Sequence, residues 1–121
     1  LSISRERNPG RAALNGSGGS RRIAAGNFVA NNGRVLRTIN ILRYDYKKLR
    51  EIEYALPDME HGEIVDSVNY LAECGYIKLR HVVSQQPAAL SDTRWEEIEA
   101  KLTADGIRLL AGCKQDACVE V

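Results

Sequence analysis

The chain has 121 residues, a hydrophobic fraction of 44% and a formal net charge of +1, which suits one domain with at most one tail. No run approaches the ~20 apolar residues of a membrane-spanning helix, and the first residues lack the apolar core of a secretory signal. The three cysteines, Cys74, Cys113 and Cys118, follow no disulfide framework, so a reducing cytoplasm is expected, with no metal or other cofactor: Cys113 and Cys118 do not form a C-x-x-C knuckle, and His61 and His81 stand far apart.

The small net charge hides an asymmetry. Residues 1–37 hold seven arginines (5, 7, 11, 21, 22, 34 and 37) against Glu6, a net of +6, and the remainder nets −5. This predicts a basic arm on an acidic globule. Residues 1–33 are rich in Gly, Ser, Asn and Arg and are expected to be a flexible arm, because such a segment buries too little apolar surface to offset its ordering entropy.

From Arg34 the pattern changes. Val35, Leu36, Ile39 and Leu42 recur at helical spacing and predict a first helix over 35–43. Asp45 is a plausible N-cap for a second helix over 46–56, carrying Tyr46, Leu49, Ile52, Tyr54 and Leu56 and stopped by Pro57. A single bent helix over 35–56 is the competing reading. After a short turn, Ile64, Val68 and Leu71 at i, i+4 and i+7 predict a third helix over 61–74, with Gly75 free to adopt the left-handed conformation that closes it. Tyr76 to Val82 opens with period-two alternation, as a half-buried strand does. A polar stretch with Pro87 leads to EEIEAKLT (96–103), a second strand antiparallel to the first, and 104–111 forms a short last helix before a tail over 113–121.

A helix closed by glycine that feeds directly into a two-stranded ribbon is the junction carried by EIVDSVNYLAECGYIKLR (63–80), and KLTADGIRLL (101–110) runs a strand into a closing helix. On these two segments, residues 46–111 resemble the winged helix-turn-helix domains of bacterial and phage transcription regulators. The resemblance implies an α+β fold: three helices, a two-stranded antiparallel wing and a short C-terminal helix over 34–112. It also implies a duplex DNA-binding regulator of phage or prophage type, acting as a homodimer without a cofactor.

In that fold the third helix enters the major groove and the wing touches the backbone beside it. DNA affinity needs Lys and Arg against phosphates, yet the third helix carries Glu63, Asp66 and Glu73 and neither Lys nor Arg. The candidate DNA contacts are therefore Lys47, Lys48 and Arg50 on the second helix, Ser67 and Asn69 on the third, and Lys78, Arg80 and Arg94 on or near the wing. Asn69 has the donor and acceptor for a bidentate contact to adenine. The same acidic helix supports a rival reading, a non-enzymatic winged-helix module that binds another protein, with Tyr44, Tyr46, Tyr54 and Trp95 as interface residues. No nucleophile–base pair is apparent, and LNGSGGSRR (14–22) lacks the G-K-[ST] ending of a P-loop, so no enzyme is expected.

Overall fold

The computed structural model of the protein describes residues 25–41 and 45–121. Leu42, Tyr44 and the first 24 residues of the expected arm lie outside that set. The fold is α+β: α1 (Ala25–Asn40), β1 (Lys47–Lys48), α2 (Leu49–Tyr54), α3 (His61–Glu73), β2 (Ile77–His81), a 3-10 turn (Trp95–Glu97), β3 (Ile98–Leu102) and α4 (Ala104–Leu110). The three strands form one antiparallel sheet in the order β1-β3-β2. Among the described residues no helix is long and apolar enough to cross a membrane.

α1 begins nine residues inside the segment expected to be a flexible arm. Its sequence, AGNFVANNGRVLRTIN, contains two glycines and four asparagines, which together cost roughly 4–5 kcal/mol of helix propensity relative to alanine. Burial outweighs that cost. Val35, Leu36 and Ile39 are fully buried, and each contributes about 1.5–3 kcal/mol. α1 packs along α3, where Phe28 meets Tyr70 edge-to-face with ring centroids 5.2 Å apart.

Residues 45–48, just ahead of α2, are not helical, which rules out one bent helix over 35–56. Lys47 and Lys48 pair with Ala100 and Glu99 as the edge strand β1, so the sheet has three strands and not two. Strand pairing displaces the helix start from Tyr46 to Leu49, and the N-cap from Asp45 to Lys48. Leu49 and Ile52 are fully buried, and the helix ends at Tyr54, ahead of Pro57.

α3 keeps its expected span to within one residue. The Glu60 N–H donates to Glu63 Oε1 at 2.9 Å across the first turn, and Ile64, Val68 and Leu71 are buried. Gly75 has φ of +80°, the left-handed value that lets the helix stop and the chain enter β2 without a Cβ clash. β2 and β3 pair from Ile77↔Leu102 to His81↔Ile98. Thr103 ties the next turn together. Its hydroxyl donates to the Gly75 carbonyl and accepts from the Gly106 N–H, capping α4.

Residues 111–121 lie against the helices. Val119 is buried, the Glu120 N–H donates to the Val29 carbonyl, and Asn32 Nδ2 donates to the Cys118 carbonyl at 2.8 Å. α1 meets this tail at Gly33, where an added Cβ would run into the Glu120 carbonyl. The Asp116 carboxylate accepts from the hydroxyls of Tyr70 and Tyr76 and from the Cys118 N–H, at 2.7–3.1 Å.

Candidate nucleic-acid interface

Alternation along the strands sorts the sheet residues into two faces. Ile98, Ala100 and Leu102 of β3 and Ile77 of β2 are buried in the hydrophobic core, so they point toward the helices. The intervening positions, Glu99 and Lys101 on β3 and Lys78 and Arg80 on β2, point away from them. Register places Arg80 opposite Glu99 and Lys78 opposite Lys101, while Lys48 of β1 lies opposite Glu99 from the other side. Tyr46, just before β1, belongs to the same outer face. The Arg80 guanidinium carbon lies 3.6 Å from its ring centroid, and Lys101 Nζ lies 5.9 Å away.

The outer face thus carries four cations, Lys48, Lys78, Arg80 and Lys101, around one aromatic ring and one carboxylate. Arg80 is held on two sides: its Nε–H donates to Glu99, and its guanidinium carbon sits over the Tyr46 ring. Glu99 is only 8% exposed, so its charge is spent within the face on Arg80. Like charges directly opposite each other across two strands are destabilising by up to about 1 kcal/mol. The Lys78–Lys101 pair is such a contact, and an anion seated between the two ammonium groups would relieve it.

The sequence-derived candidates divide on this geometry. Lys48, Lys78 and Arg80 come together on the outer face. Lys47 alternates to the opposite side, in register with Ala100, and both β1 lysines leave the helix on which they were expected. Arg50 is exposed at the start of α2. Arg94 is exposed in the connection before β3, 3.6 Å from Glu96. Ser67 must be withdrawn as a contact residue. It is fully buried on the α3 face that meets the core, and its hydroxyl has no partner among the described residues. Asn69 is exposed, but on the α3 surface that also carries Glu63, Asp66 and Glu73. Lys101 and the role of Tyr46 escaped the sequence reading. Pairing EEIEAKLT with YIKLRHV in antiparallel register is the signal that sets Lys101 against Lys78.

A second polar group lies at the tail. Burial pushes Asp116 toward a higher pKa, but hydrogen bonds from Tyr76, the Cys118 N–H and Tyr70, with the Lys114 charge, hold it below the ordinary carboxylate value. Burial first pushes both tyrosine hydroxyls well above their ordinary value, followed by Asp116 at Tyr76 and by Cys74 and then Asp116 at Tyr70. At neutral pH this group is one carboxylate fully met by donors, and it presents no free charge to a ligand.

No family model, curated protein or solved structure matches the chain.

Proposed function

We propose that the chain is a DNA-binding module of the winged helix-turn-helix kind, of the type found in bacterial and phage transcription regulators, and that it grips the phosphate backbone with the outer face of its sheet and not with its third helix. The order helix, strand, helix, helix, strand, strand supports the fold assignment, with β1 pairing onto the hairpin of β2 and β3. The observation that carries the function is the set of Lys48, Lys78, Arg80 and Lys101 on one open face, with two lysines held opposite each other. Phosphates neutralise such a face and release counterions, so binding weakens steeply as salt rises.

The test is a fluorescence anisotropy titration of labelled random-sequence DNA with the full chain over a series of salt concentrations. Binding at low salt whose logarithm falls linearly with log salt is expected, with a shallower slope for the triple variant Lys48→Gln, Lys78→Gln, Lys101→Gln. Absence of binding at low salt contradicts the proposal. The second reading, a protein-binding module, is favoured by the carboxylates of Glu63, Asp66 and Glu73 on α3, which suit a basic partner. A partner recovered by a chain that does not retain DNA would establish that reading instead.

A further inference from the structure

We propose that the ligand of the outer sheet face is a single nucleic-acid strand with unpaired bases, and that the stacked pair of Tyr46 and Arg80 is the platform on which a base lies. This rests on the nucleic-acid reading above and adds the form of the nucleic acid and two residues with a specific task.

The first observation is the layering of two flat groups. Arg80 lies over the Tyr46 ring at 3.6 Å, within van der Waals contact. The Glu99 carboxylate accepts its Nε–H, which restrains the guanidinium over the ring. Aromatic rings and guanidinium planes are the two side-chain surfaces on which bases stack. Here they are already stacked and anchored, so little rotamer freedom remains to be lost when a third plane adds to the pile. An Arg80 retained only as a charge would need neither the ring nor the fixed plane.

The second observation is where the remaining charge stands. Lys48, Lys78 and Lys101 occupy the same face as the stack, on all three strands. Lys78 is exposed, and the other two are half-buried. A strand laid across the face meets ammonium groups along its phosphates and a flat surface for its bases. This combination of basic groove and aromatic platform binds single strands with little regard to sequence.

The third observation concerns the duplex. Its bases are stacked on one another, so Tyr46 and Arg80 would meet only sugar and phosphate. Reading a duplex requires an element that enters a groove. α3 has the shape, but it carries the half-buried Glu63 and Asp66 and the exposed Glu73 and neither Lys nor Arg, so it offers phosphates no cation. A duplex is left with charge contacts alone. A single strand gains the stack as well.

The experiment compares three labelled ligands on the full chain at equal salt: an oligothymidine of about 12 nucleotides, within the range covered by one small domain, an abasic strand of the same length, and a hairpin duplex. The wild-type chain is expected to bind oligothymidine about fivefold or more tighter than the abasic strand, the low end of what one stacked base contributes, and tighter than the duplex. Tyr46→Leu removes that margin and leaves the abasic affinity in place; Tyr46→Phe retains it. Arg80→Lys keeps the charge, loses the plane and also removes the margin. Melting curves check that each variant is folded, and the wild-type comparison decides even where one is not. Equal binding of oligothymidine and the abasic strand overturns the proposal while leaving the DNA-binding function standing. A margin that survives Tyr46→Leu in a folded chain overturns it in the same way. Absence of binding to all three ligands overturns both.

Discussion

Around Asp116 each polar group meets its complement, whereas on the outer sheet face Lys78 meets Lys101. The carboxylate at the tail collects two tyrosine hydroxyls and a backbone N–H, and it ties the tail to α3 and to Tyr76, the residue before β2. The sheet face sets Lys78 opposite Lys101 and has a single carboxylate, Glu99, among four cations. The first arrangement lowers the free energy of the folded chain. The second raises it slightly, and under the proposed function phosphates relieve that cost. Under the proposed function, polar side chains in one small domain do two separate jobs, and the partners within the chain tell them apart.

Substitutions and pH separate the two jobs further. The largest effect is expected at the tail. Asp116→Ala leaves the Tyr70 and Tyr76 hydroxyls without their acceptor, which costs about 3 kcal/mol in chemical denaturation, with little change in DNA affinity. The pH dependence follows from the same group. The folded pKa of Asp116 lies below its unfolded value, so its stabilisation is fully present above the unfolded pKa and is lost as pH falls through the folded one. The folded pKa values of Tyr70 and Tyr76 lie above their unfolded values. Their unfolded forms ionise near pH ~10 while the folded forms keep their protons, so stability falls as pH rises past that point. Urea midpoints across pH should fall at both extremes for the wild type, and Asp116→Ala should flatten the acid limb.

Next comes Gly33→Ala. In an open helix this change stabilises by up to ~1 kcal/mol. Here the new Cβ meets the Glu120 carbonyl, so a loss of about 2 kcal/mol is expected, within the range of overpacked interiors. A gain in denaturation midpoint would show that the tail does not hold its place on α1. Lys78→Glu reverses the signs. A new pair with Lys101 is expected to raise stability by about 0.5 kcal/mol while weakening DNA binding, and a variant that binds more tightly would break the contrast. Smallest is Gln85→Gly. Gln85 has φ of +62° in the turn after β2, and relieving it should add a few tenths of a kcal/mol to stability without altering affinity.

The parts of the fold that the sequence displays are those held by local pattern. α3 shows its apolar stripe and its glycine stop, and β2 shows its alternation. The first nine residues of α1 show neither: Asn31, Asn32 and Gly33 look like a loop, and the tail that meets Val29, Asn32 and Gly33 is far away in sequence. β1 is two lysines, a strand only by virtue of β3 beside it. The site divides in the same way. Lys78 and Arg80 are legible from alternation, while Tyr46 requires the position of β1 before its face is defined. Ser67 could have been excluded from spacing alone, since it sits three residues after Ile64 and four before Leu71, on the apolar stripe.

Backbone amide perturbations in a nuclear magnetic resonance titration of the full chain with single-stranded DNA test the central claim most directly, because they compare the sheet with α3 in one measurement. The expected result is a continuous set of shifted amides over residues 46–48, 78–80 and 99–101, with those of His61–Glu73 left in place. Shifts centred on Asn69 and its neighbours, with the strands silent, would return the contact to α3 and contradict the assignment of the sheet face.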